Sequence, residues 1–187
     1  MDIKDLIEKT VSSEFLYDGK VVHLYKDVVS LPNGSESIRE YIKHVGAVCV
    51  VPVTDEGEIV CVRQYRYSIA QLLLEIPAGK LDSKDEDPVA ATLRELREET
   101  GATCRELISL GEYYGSPAIM GERIFMYLAT GLEFGEMDLD DDEFLEVVRI
   151  LAKELEGMIY RGEVTDGKTQ AAVLKALHLL RERGMNI

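Results

Sequence analysis

Three features of this chain predict an α/β fold, in which a mixed sheet lies between helices and a smaller antiparallel set of strands forms a separate N-terminal part. The first 77 residues carry strand-sized apolar runs broken by turn tripeptides, residues 88–100 carry a helical period that stops at Gly101, and two further helical patterns close the chain. Taken in order, residues 20–31 and 37–44 are extended, with Pro32-Asn33-Gly34 as the hairpin turn between them. Residues 1–44 are therefore expected to be an N-terminal β subdomain, and 45–187 the main domain. Within the latter, 46–53 and 58–66 flank an Asp55-Glu56-Gly57 turn, and 72–77 form a run that stops at Pro77-Ala78-Gly79. Asp87 is placed to cap a helix that has Pro88 at its first position, and Ala90, Ala91 and Leu93 begin that helix's apolar stripe. Residues 106–114, 123–130 and 144–150 are again extended. Helices follow at 152–161 and 168–183, the last capped by Asp166 and burying Ala172, Leu174, Ala176, Leu177 and Leu180. A chain of 187 residues with 46% hydrophobic content is long enough to bury one substantial core.

Arg94-Glu95-Leu96-Arg97-Glu98-Glu99-Thr100-Gly101 is the segment that speaks most directly of chemistry. On a helix, Glu95, Glu98 and Glu99 stand at i, i+3 and i+4 and share one face. Unneutralised they repel one another. Mg²⁺ or Mn²⁺ takes hard oxygen ligands of this kind and leaves positions open for water and phosphate. The competing reading of the same residues is a solvated acidic face paired with arginine, Arg94 with Glu98 for instance.

The residues around this helix resemble the signature of the Nudix hydrolase family: Gly79, Glu86, Arg94, Glu95, Leu96, Glu98, Glu99, Gly101 and Ala102 fall at its fixed positions. One step departs, since six residues separate Gly79 from Glu86 where the signature has five, which leaves Asp85 as the alternative occupant of the Glu86 position. Outside the signature, Pro117 stands sixteen residues past Gly101 and is followed by Glu122-Arg123. Together with Val62-Arg63-Gln64-Tyr65-Arg66-Tyr67 and Ile38-Arg39-Glu40, these are similar to the ADP-ribose pyrophosphatase branch, although Val45 stands where that branch more often has proline. The resemblance implies an α/β/α sandwich with a mixed sheet, plus the small N-terminal antiparallel subdomain. It also implies hydrolysis of ADP-ribose to AMP and ribose 5-phosphate, with Mg²⁺ or Mn²⁺ held by Glu95, Glu98, Glu99 and the Ala78 carbonyl, and with Arg94 and Glu98 serving catalysis. Glu143 is the implied general base, Glu146 and Asp141 its alternates, and Arg39, Arg63, Arg66 and Glu122 are the implied substrate-binding residues. A homodimer is expected, in which the partner lends Arg39 or a neighbour to the pocket. Other nucleotide sugars or dinucleoside polyphosphates are alternative substrates, and a non-catalytic nucleotide sensor is the alternative of another class.

A net charge of −14 argues against nucleic acid as a partner. It also requires any diphosphate pocket to overrule the global field locally, through metal and planar arginine forks such as Arg39, Arg63, Arg66 and Arg123. Tyr41, Tyr65 and Tyr67 are candidates to stack on a base, or to pack. Cys49, Cys61 and Cys104 lack metal-site spacing and are expected as free thiols, the histidines His23, His44 and His178 are too scattered for a triad, and the longest apolar run, 45–53, is strand-sized. With acids in Met1-Asp2-Ile3-Lys4-Asp5, where a secretory signal is basic and then apolar, a cytoplasmic protein is expected. Two further motifs mislead. Gly162 to Thr169 spells a phosphate-binding loop, but an amphipathic helical pattern precedes it instead of a strand. Asp138 to Glu143 opens like a calcium loop, but it has Glu143 where glycine is needed and Arg149 where a bidentate acid is needed.

Overall fold

The computed structural model describes residues 3–139, 143–185 and 187. The chain divides into two compact units, Met1–Val45 with Tyr114–Glu122, and Gly46–Tyr113 with Arg123–Ile187. The sequence suggested one cut after residue 44. A segment from the middle of the chain also joins the first unit, where the Ile42 amide donates to the Ile119 carbonyl at 2.8 Å and the Gly121 amide to the Ile42 carbonyl at 3.0 Å.

In the first unit, β1 (Lys9–Asp18), β2 (His23–Ser30) and β3 (Glu36–Lys43) form an antiparallel sheet in that order. The turn between β2 and β3 is the expected one. Gly34 takes φ +84°, which glycine adopts freely, and the Asn33 side chain accepts from the Ser35 amide at 3.0 Å. β1 was not expected, because all ten of its residues are exposed and no buried face imprints an alternation on the sequence. Its Phe15 stacks on Tyr25 at 4.7 Å, Tyr25 stacks on Tyr41 at 5.8 Å, and Lys43 sits over the Tyr25 ring. Tyr41 is thus engaged in packing.

The second unit contains β4 (Ala47–Val53), β5 (Glu58–Arg66), β6 (Gln71–Glu75), β7 (Ala78–Lys80), α1 (Pro88–Thr100), β8 (Ala102–Tyr113), β9 (Ile124–Phe134), β10 (Leu145–Leu151), α2 (Ala152–Tyr160) and α3 (Gly167–Glu182). Its sheet runs β10-β5-β4-β9-β8, with β6 on β5 and β7 on β4. β4 and β9 are parallel and the other pairs antiparallel, so the sheet is mixed. Every residue of β4 is buried because both faces of the sheet are covered. Cys49, Val51 and Val53 pack with Leu155 of α2 and with Ala172, Ala176, Leu177 and Leu180 of α3, while Val50 packs with Leu96 of α1. The result is an α/β/α sandwich.

Three details differ from the sequence reading. The run 72–77 is not one strand that stops at a turn. Pro77, with no N–H to donate, separates β6 from β7, and its carbonyl accepts from the Val50 amide at 3.0 Å. β8 starts at Ala102, where the ladder pairs Ala102 with Phe134, four residues before the apolar signal begins. On α3, Val173 is fully buried as well, because helical geometry places it beside Ala172, Ala176 and Leu177, while Leu174 is partly buried against the same core. Cys49 and Cys61 are buried free thiols, both pushed up to about 12 by burial. No helix among the described residues is long and apolar enough to cross a membrane.

Candidate active site

α1 is built as its sequence dictates. Asp87 caps it by accepting from the Val89 amide, Pro88 opens it, and Gly101 ends it at φ +68° with its amide on the Arg97 carbonyl. Leu96 is buried against the sheet, which places Glu95 and Glu99, four residues apart, on one buried flank at 7% and 2% exposure.

Both carboxylates lie on β7. The Ala78 amide donates to Glu99 Oε2 at 3.2 Å. A Cβ added to Gly79 would fall 2.0 Å from the Glu95 carboxylate, so the missing side chain at 79 is the seat of that acid. Gly79 thus serves by its small size and not by an unusual backbone angle. Arg94 gathers the remaining acids. Its Nη1 donates to Glu95 Oε1 at 2.6 Å and Glu98 Oε2 at 3.1 Å, and its Nη2 to the Lys80 carbonyl at 3.3 Å and Glu86 Oε1 at 3.4 Å. Glu86 in turn accepts from the Asp82 amide at 2.6 Å, and the Asp82 carboxylate of the same loop lies 3.9 Å from Arg94 Nη2.

Burial dominates the electrostatics of this pocket, and like charge adds to it. Burial pushes Glu99 up to about 8, and the charges of Glu95 and Glu143 act in the same direction against the Ala78 amide and Arg66. Burial also pushes Glu95 up to about 7; Arg94 opposes the shift, while Glu98 and Glu143 add to it. Glu143, two residues before β10, is therefore electrostatically part of the cluster. Among the described residues, no three such side chains already close round a metal ion. Arg94 stands between Glu95 and Glu98 and takes the oxygens that converge there. Buried carboxylates with one arginine among them nevertheless fit a divalent cation in the chemistry of the donor set, hard oxygens with unbalanced negative charge.

The other candidate residues divide. Arg66 donates to Glu75 through Nε at 2.7 Å and Nη2 at 2.8 Å, and its charge acts on Glu99. Arg63, an odd number of strand positions away and so on the opposite face of β5, pairs with Glu146, its cross-strand neighbour on β10. Glu146 is thereby tied to Arg63, and Asp141 lies outside the described residues. Arg39 holds Glu8 with two bonds, and Glu122 lies 3.7 Å from His44. Arg123 pairs with Glu112, which β8 and β9 bring across the ladder. Tyr65 and Tyr67 are exposed. Sequence reasoning missed Glu75, although a lone acid inside the apolar run Leu72-Leu73-Leu74-Glu75-Ile76 is a signal for a buried charge with partners.

Residues 8–42 match a model described as the nucleoside diphosphate sugar hydrolase N-terminal domain. The chain is 43% identical to an ADP-ribose pyrophosphatase of Bacillus subtilis over 91% of this chain and 93% of that protein. It is also 43% identical to a methanol dehydrogenase activator of Bacillus methanolicus, over 89% and 90%. A crystal structure of an ADP compounds hydrolase superposes with TM-score 0.83 at 19% identity, covering 95% of this chain and 96% of that one, and so shares the fold. With residues 43–170 matching the NUDIX domain model as well, the chain belongs to the Nudix hydrolase family.

Proposed function

We propose that the protein hydrolyses the pyrophosphate linkage of ADP-ribose to AMP and ribose 5-phosphate with a divalent cation, Mg²⁺ or Mn²⁺. The observation that carries this is the seating of the buried Glu95 and Glu99 carboxylates on β7, at Gly79 and the Ala78 amide, with the charge of Glu143 acting on both. Supporting the choice of substrate is the 43% identity to an ADP-ribose pyrophosphatase across nearly the whole chain. Glu95, Glu98, Glu99 and the Ala78 carbonyl would hold the metal. When bound, it neutralises diphosphate charge and lowers the pKa of a water.

The chain's own residues do the rest. Arg94 keeps Glu95 and Glu98 facing one another, Gly79 leaves room for the Glu95 carboxylate, and Arg66 offers a phosphate oxygen the edge of its guanidinium that Glu75 does not take. Glu143 accepts the proton of the attacking water. Incubation with ADP-ribose, GDP-mannose, UDP-glucose and a dinucleoside polyphosphate in the presence of Mg²⁺ tests the reading. AMP and ribose 5-phosphate from ADP-ribose, at the highest kcat/KM of the panel, is the expected result, and ADP-ribose binding without turnover would establish the sensor instead.

Two residue-level outcomes follow. Glu143→Gln is expected to lower kcat about 10²-fold or more with little change in KM, the usual scale for a general base. Wild-type kcat at saturating Mg²⁺ would move that role to a neighbour. Gly79→Ala meets the mobile end of Glu95, not backbone, so stability should change by less than about 1 kcal/mol in urea unfolding. The displaced carboxylate should raise the Mg²⁺ concentration for half activity by about tenfold.

The homodimer belongs to the same reading, and the exposed strand β1 supports it. Val11, Phe15, Leu16 and Tyr17 are all solvent-exposed on an edge strand, a liability unless another chain covers it. Sedimentation is expected to give twice the chain mass for the wild type and a monomer for Val11→Asp/Leu16→Asp. A monomeric wild type would remove the proposal.

The relative named as a methanol dehydrogenase activator favours a second reading, action upon a dehydrogenase, at equal identity. Assaying a methanol dehydrogenase with and without the protein tests it. Loss of any stimulation in Glu99→Gln would make that effect a consequence of hydrolysis.

A further inference from the structure

Glu75, at the end of β6, is 1% exposed and lies outside the acid cluster. Its two oxygens carry Arg66 through Nε and Nη2, and Lys168 Nζ shares Oε2 with Arg66. Lys168 also donates to Asp166 Oδ2 at 3.0 Å. That oxygen accepts from the Thr169 amide at 2.9 Å and from the Thr169 hydroxyl, which itself accepts from the Ile76 amide at 3.0 Å. The end of β6 and the start of α3 are therefore joined by an ion pair and by a hydrogen bond from the Ile76 amide to the Thr169 side chain. Gly167 lets this happen, since a Cβ there would lie 2.5 Å from the Tyr113 hydroxyl oxygen.

This gives the loop-like motif Gly162 to Thr169 a use. Lys168, 12% exposed in its side chain, is turned onto carboxylates, and the Asp-Gly-Lys-Thr end of the motif is a pin. The set holds two cations and two carboxylates, so it is neutral. Buried ionic sets of this kind are weak evidence for stability, which directs attention to what this one fixes. It fixes Arg66. With Nε and Nη2 committed to Glu75, Nη1 makes no hydrogen bond to a described residue, and the side chain is 41% exposed.

We propose that Glu75, held by Lys168 and Asp166 at the start of α3, is a positioning residue that presents the free edge of the Arg66 guanidinium to the substrate diphosphate. The inference rests on the hydrolase reading above. A fork already locked by its neighbours loses less rotamer freedom on binding, so its effect falls on substrate affinity.

Steady-state kinetics with ADP-ribose and thermal unfolding test this together. Glu75→Gln is expected to raise KM about tenfold, with kcat within about threefold of wild type and the Mg²⁺ requirement unchanged. Because that change leaves Lys168 without its buried partner, the charge-neutral Glu75→Gln/Lys168→Met protein separates positioning from folding. Its Tm should return toward wild type while KM stays high, and recovery of both together would overturn the proposal. Glu75→Gln added to Arg66→Ala should leave KM where Arg66→Ala alone puts it. A further tenfold rise in that background would mean that Glu75 does not act through Arg66. If the variants fail in these ways while the wild type is active, only the positioning role falls. A wild type that turns over no nucleoside diphosphate sugar would remove both readings.

Discussion

Glu99→Gln should lose turnover by about 10³-fold, the equivalent of roughly 4 kcal/mol of transition-state stabilisation, while the protein stays folded. The side chain is 2% exposed and accepts from the Ala78 amide at 3.2 Å, an interaction that the glutamine oxygen retains. What the substitution removes is a negative charge in a pocket where burial already disfavours it and where Glu95 and Glu143 add to the repulsion. Metal-free Glu99→Gln should therefore unfold at a higher temperature than metal-free wild type at pH 8. Lower activity with higher stability is the signature of a charge kept for a cation and not for the fold. Glu98 makes a useful contrast, since it is half-buried and held at 3.1 Å by Arg94. Turnover of Glu99→Gln within tenfold of wild type, on any substrate of the panel, would take the helix out of the chemistry.

The acid helix was legible because its information is local. Cap, proline, apolar stripe and glycine stop lie within fifteen residues, and the i, i+3, i+4 spacing of Glu95, Glu98 and Glu99 fixes one face whatever the rest of the chain does. Partnerships across the sheet were not. Arg63 and Arg66 look equivalent in Arg63-Gln64-Tyr65-Arg66, yet strand alternation sends them to opposite faces, one to Glu146 and the other to Glu75. Only register decides that, and register depends on which strand comes to lie beside β5. β1 escaped for a different reason. Its ten residues are all exposed, so no buried face wrote a period into the sequence, and the pairing with β2 that makes it a strand is a tertiary event. The mid-chain segment Tyr114–Glu122 that joins the first unit likewise has no compositional mark, since main-chain bonds to Ile42 attach it.

The same buried charge predicts how stability responds to pH and to Mg²⁺. Glu95 and Glu99 ionise near 4.5 when unfolded and are pushed up to about 7 and about 8 in the metal-free fold. Between those limits the folded protein holds more protons than the unfolded chain, so raising the pH favours unfolding. Stability is greatest below the unfolded value and declines until about pH 8, above which both states are ionised and the full cost remains. In EDTA, Tm should fall by about 5 °C or more from pH 5.5 to pH 8.5, on the scale of 2–4 °C per kcal/mol for a chain of this size. Mg²⁺ binds the ionised carboxylates and not the protonated ones, so it should restore most of that loss at pH 8.5 and little at pH 5.5, with protons released on binding at pH 7. Self-repulsion from the net charge of −14 also lowers stability as the pH rises, which makes Glu99→Gln the necessary control. Global repulsion would leave the slope of Tm against pH nearly the same in the variant, whereas a cluster origin predicts a shallower slope and a smaller rise with Mg²⁺. Equal Mg²⁺ shifts at the two pH values, or equal slopes in the two proteins, would place the cation somewhere other than between Glu95 and Glu99.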